Sequence, residues 1–160
     1  NWDQCIVYYG FLKNKFPNNA IYQYKYGGSL GMKAKNSNKL KALSLISEVE
    51  ESLLKAASLD SKFVDVRWAL IELYLELPAI VGGSEKKAQK FADQLLQISP
   101  VDGNLAKGRI NIYFKRYKKA EPYLVKAHQI GNSKITLQKL SELYRDCLKD
   151  TEKAKKLTQK

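Results

Sequence analysis

The chain has 160 residues, 44% of them hydrophobic, and its 28 basic and 16 acidic residues give a net charge of +12. That is enough apolar material for one sizeable core, but no run is long and apolar enough to span a bilayer. The greasiest stretch, Val64 to Leu75, is interrupted by Asp65, Arg67 and Glu72. A soluble single domain over residues 1–160 is expected. The chain opens on Asn1 without a signal-peptide pattern, so a processed or excised segment is expected, and the compartment is left open.

Apolar spacing and capping residues divide the chain into helices. Trp2, Cys5, Ile6, Tyr9, Leu12 and Phe16 recur at helical spacing, which predicts a first helix from Asn1 to Lys15. Phe16-Pro17-Asn18-Asn19 ends it and caps a second helix reaching about Lys35. A third runs from about Ser37 to Ser58, with apolar residues from Leu40 to Ala57. Asp60 and Ser61 are capping types that start a fourth, which stops before Pro78. The loop Pro78-Ala79-Ile80-Val81-Gly82-Gly83-Ser84 follows. Later helices are predicted over 85–98, 101–115, 118–129, 133–148 and from Thr151 onward, with Ser99-Pro100 a cap followed by proline at the first helical position. Period-two alternation is absent over any useful length, so strands are not expected.

One segment recurs. Phe114-Lys115-Arg116-Tyr117-Lys118-Lys119-Ala120 returns in residue class thirty-four residues later as Leu148-Lys149-Asp150-Thr151-Glu152-Lys153-Ala154, and Lys86-Lys87-Ala88 precedes Lys118-Lys119-Ala120 by thirty-two. A period of that size marks a helical repeat array, in which each unit buries its apolar face by stacking on its neighbours. Gly108, Tyr117, Ala120 and Ala127 in one unit, Ala88 and Pro100 in the unit before, and Ala56, Ala69 and Ala154 elsewhere resemble the tetratricopeptide repeat family. Small residues are needed there because helices cross closely. The Pro78 to Ser84 stretch also resembles an insertion carried by bacterial members of that family. The resemblance implies an all-α fold, a right-handed superhelix (α-α solenoid) of about four antiparallel helix pairs plus one N-terminal helix. Its approximate units are 1–17 (partial), 18–60, 61–99, 100–132 and 133–160.

The resemblance further implies a non-catalytic protein-protein interaction module or scaffold, which binds a peptide or partner protein in a concave groove lined by the first helix of each pair. Carried over unit by unit, the groove positions are Tyr22, Tyr26 and Leu30; Phe63, Val66, Leu70, Leu73 and Tyr74; Asp102, Leu105, Arg109, Ile112 and Tyr113; and Thr136, Lys139, Leu143, Asp146 and Cys147. Tyrosine and arginine are types that dominate binding energetics, although Tyr74 and Tyr113 can equally fill space between helices. The family's carboxylate clamp, with Lys and Asn on successive helices, is not assembled here.

Enzymatic chemistry finds little support. His128 is the single histidine and reads as a packing or surface residue, and one His with two Cys makes no metal set, so no catalytic residue, metal or cofactor is expected. Gly28-Ser29-Leu30-Gly31 and Gly82-Gly83-Ser84 lack the ending of a phosphate loop and read as a loosened helix end and a turn. Glu48, Glu50 and Glu51 read as a solvated helix face. Cys5 and Cys147 lie too far apart in a stacked array for a disulfide. Trp2, Tyr8 and Phe11 are expected to leave apolar surface at the first helix. Charge supports an alternative class: residues 101–160 hold fifteen basic and six acidic residues, and lysines recur where successive second helices begin. Stacking aligns these as a cationic edge for nucleic acid, an anionic surface or an acidic protein, although interleaved exposed aromatics are not evident.

Overall fold

In the computed structural model, which describes residues 1–158, every regular segment among the described residues is helical. Residues 159 and 160 of the expected last unit lie outside the described residues. The α-helices are α1 (Trp2–Lys15), α2 (Ala20–Lys35), α3 (Lys39–Leu59), α4 (Val64–Glu76), α5 (Glu85–Ile98), α6 (Pro100–Tyr113), α7 (Tyr117–Gly131), α8 (Lys134–Glu142) and α9 (Thr151–Thr158). A 3₁₀ turn (Ala79–Val81) and a π-helical turn (Leu143–Leu148) complete the set. Side-chain capping explains most of the starts. Asn19, Asn38, Ser84, Ser99 and Ser133 each accept from a backbone N–H two to three residues into the helix, satisfying a donor that the helix itself leaves open.

Three local expectations are corrected. Asp60 closes α3 instead of starting α4, and its carboxylate accepts from the Lys62 N–H at 2.8 Å. The start of α4 at Val64 has no side-chain cap. It is secured by buried Arg67, whose guanidinium donates to the carbonyls of Phe63 (2.8 Å), Asp60 (3.2 Å) and Ala57 (3.4 Å). Gly28 to Gly31 are not a loosened end but lie inside the continuous α2, because α3 crosses close beside Gly27 and supports that stretch. The expected helix over 133–148 is α only to Glu142 and then widens into the π turn.

The chain forms two compact units, Asn1–Gly83 and Ser84–Lys160. In the first, α2 packs along α3 and against α1, and α4 packs on α3. Its core is built from Leu30, Val49, Leu53, Ala56, Val66, Leu70, Ile71 and Leu75. α1 has no buried residue, and Val7, Tyr8 and Phe11 are 73%, 60% and 63% exposed. In the second, α5 packs on α6, α6 on α7, and α7 on α8, with α9 closing against α8 and the π turn. Ala88, Ala120 and Ala127 are fully buried here, as Ala56 is in the first unit, so close crossings do fall at these small residues. The loop after Pro78 is a defined turn: the Pro78 carbonyl accepts from Val81 and Gly83, and Gly82 takes a left-handed φ of +104°.

Candidate binding cleft

A cleft opens in the first unit. α2 and α4 both pack on α3 but diverge from each other, leaving a cleft of about 570 Å³ floored by α3. Its α2 wall is open at Gly28 and Gly31, between Tyr24 and Met32. A side chain begun at Gly28 would meet nothing within 4 Å, and one at Gly31 would meet only Val49, at 3.7 Å. Ala42 and Ala69 continue the small-residue lining, while Leu43, Ile46, Leu73 and Met32 provide apolar surface. At one end the Tyr24 ring meets Phe63 in a tilted contact, centroids 5.0 Å apart, and burial together with the charge of Asp65 raises its hydroxyl above the ordinary tyrosine range. At the mouth Lys35 pairs with Glu76 at 2.9 Å, and Lys39 stands exposed. The result is a mainly apolar trough whose lining also carries Lys25, Glu72 and the Lys35–Glu76 pair.

The residues expected to line a groove divide by burial. Val66 and Leu70 are 0% exposed and belong to the core, so they offer no surface to a ligand. Tyr26 and Tyr74 are also buried, and each hydroxyl donates to a carboxylate of α3, Tyr26 to Glu48 at 2.5 Å and Tyr74 to Glu50 at 2.7 Å. These tyrosines act as spacers between helices, and Glu48 and Glu50 are anchors instead of a merely solvated face. Tyr144 repeats the arrangement in the second unit, donating to Glu121 at 3.0 Å. Burial, then the carboxylate partner, pushes Tyr26 and Tyr144 up to about 12 and Tyr74 higher still. Tyr22 is half-buried against Phe16, with ring centroids 5.8 Å apart.

In the second unit Leu105 packs on the core, Arg109 is half-buried, Tyr113 is 41% exposed, and exposed Lys139 donates to Glu142 at 3.0 Å. Tyr113 and Phe114 align in the repeat with Tyr74 and Leu75, which are buried. The later pair stands at the end of its helix and is exposed. Leu73 is the one groove position of the first unit that lines the cleft. Tyr24, Gly28 and Gly31 were missed because the aromatic positions drew the reading to another face of α2.

His128 Nδ1 lies 3.0 Å from the hydroxyl of buried Thr136, which also closes the capping box with Ser133, so the histidine ties α7 to the start of α8. Among the described residues no group of three or more His, Cys, Asp or Glu could hold a metal ion, and both cysteines are free. No helix among them is long and apolar enough to cross a membrane.

No family model and no curated protein matches the chain. Solved structures do. One crystal structure of MamA protein superposes with a TM-score of 0.62 at 19% identity over 99% of this chain and 79% of that one. A second crystal structure of MamA gives 0.67 at 18% identity, covering 99% and 89%. The chain therefore has an all-α fold of the MamA kind, with helices packed sequentially in pairs.

Proposed function

We propose that the chain is a non-catalytic interaction module of the tetratricopeptide type, and that the cleft between α2 and α4 holds a peptide or an apolar segment of a partner protein. The observation that carries this reading is the gap in the α2 wall at Gly28. A trough of about 570 Å³ with no side chain at Gly28 supports insertion of side chains from outside. The MamA-like fold supports a scaffold over an enzyme. Of the groove positions carried over from the repeat family, Leu73 lines this cleft and is the one proposed to contribute.

Gly28→Leu tests the cleft, because the added side chain has open space to occupy and its helix propensity exceeds that of glycine. A displayed peptide library panned on the wild-type protein is expected to yield apolar peptides. Their affinity falls at least about tenfold on Gly28→Leu and changes little with salt, as expected for apolar burial. Enriched peptides that bind Gly28→Leu as tightly as wild type would remove the cleft from consideration.

A further inference from the structure

The second unit carries eighteen basic against eight acidic residues, +10 of the chain's +12. Its helices bring part of that charge to one edge. Glu85, at the start of α5, is held by the guanidinium of Arg116 at the start of α7, and Glu121 of α7 accepts from Lys153 of α9 at 2.7 Å. The two carboxylates are thereby neutralised, while exposed Lys86, Lys118 and Lys119 form no hydrogen bond or ion pair with a carboxylate among the described residues.

Aromatic surface lies on the same edge. α6 ends at Tyr113, and the chain turns through Phe114 and Lys115, the latter with φ +56°, so the two rings are left 41% and 40% exposed. The rings meet edge to face at 5.2 Å. The Arg109 guanidinium lies 5.6 Å from the Tyr113 centroid, and that of Arg116 lies 5.0 Å from Phe114. Cations and π surfaces are therefore interleaved, contrary to the expectation from sequence.

We infer that this edge binds single-stranded nucleic acid, with phosphates on Lys86, Lys118 and Lys119 and a base against Phe114 and Tyr113. Two observations favour a strand over a lipid surface. Cations stand at the starts of α5 and α7, two helix ends that the Glu85–Arg116 pair joins, so positive charge is repeated along the edge, which suits a polyanion with repeated phosphates. The rings are more than half covered and backed by guanidinium groups, which leaves little apolar area to insert but keeps a face for stacking. This surface is independent of the cleft.

The test uses the whole chain and a fluorescein-labelled oligothymidylate of about twelve nucleotides, read by anisotropy. With these three phosphate contacts, affinity is expected to fall about 20-fold between about 50 and about 200 mM salt. The Lys118→Ala/Lys119→Ala double variant weakens binding and reduces the log–log salt slope by about 1.4. Phe114→Ala, with its fold checked by circular dichroism and a urea melt, weakens binding about tenfold at every salt concentration and leaves the slope unchanged. Absence of binding at about 50 mM salt overturns the proposal. So does a Phe114→Ala variant that binds like wild type, since that leaves charge attraction alone. Flotation of the protein with phosphatidylglycerol vesicles that the oligonucleotide does not compete away assigns the edge to lipid and overturns it as well.

Discussion

A methyl group added at Gly103 would overlap the backbone nitrogen of Leu96 and lie 2.5 Å from its Cα, so α5 and α6 meet there backbone to backbone. Gly108, the glycine that the repeat pattern singles out, is different. A methyl there would meet the Leu124 side chain, Cδ2 at 2.5 Å and Cγ at 2.9 Å, and a side chain can rotate away. Gly103→Ala is therefore expected to cost about 3 kcal/mol, at the upper end of overpacking penalties. Gly108→Ala is expected to be near neutral, since about 1 kcal/mol of helix propensity offsets a comparable rotamer cost. Gly108→Leu falls between them. Urea melts of the three variants check the order, and a Gly103→Ala variant as stable as wild type would show that α5 slides to make room. Gly108 was legible because its place in the repeat is a sequence property. Gly103 was not, because its constraint comes from the backbone of the preceding helix.

At the scale of elements, helices and turns were largely readable, since apolar spacing and asparagine or serine caps are local signals. The Gly82-Gly83 turn was readable too: Gly82 holds a left-handed φ, and a Cβ at Gly83 would overlap the Leu77 carbonyl oxygen. What failed was the facing of helices. A tyrosine on α2 or α4 reads the same whether it points in or out, and Tyr26, Tyr74 and Tyr144 find their glutamates 22 to 24 residues away on a neighbouring helix. These ties have a pH signature. Tyr26 and Tyr144 titrate near 12 when folded against an ordinary 10.0, so their contribution is fully present below pH 10.0 and is lost as pH rises toward 12. Tyr26→Phe and Tyr144→Phe are expected to start about 1 kcal/mol less stable at neutral pH, from the lost hydrogen bond, yet to lose less on alkaline titration. Denaturant melts at successive pH values, with phenolate absorbance recorded in parallel, test this. Variants that follow the wild-type alkaline decline would assign it to other groups.

For the molecule as a whole, charge is partitioned unequally, +2 over residues 1–83 and +10 over 84–160. Repulsion within the second unit outweighs scattered surface pairs such as Lys139–Glu142, each worth at most about 1 kcal/mol. Screening should therefore stabilise the protein: raising salt from about 10 to about 300 mM is expected to lift the melting temperature by about 2–4 °C, equivalent to about 1 kcal/mol. A melting temperature that falls with salt would mean that ion pairs such as Lys107–Asp93 dominate instead. The repeat itself closes in the same way twice. Lys115 and Lys149, thirty-four positions apart, both turn left-handed, but the bond closing the first turn runs from Arg116 N–H to the Asn111 carbonyl, whereas its counterpart runs from Asp150 N–H to the Tyr144 carbonyl and spans one residue more. The π turn is thus a coil of spare length. Deleting one residue within 143–148 is therefore expected to tighten the π turn to an ordinary helical end and leave α9 docked.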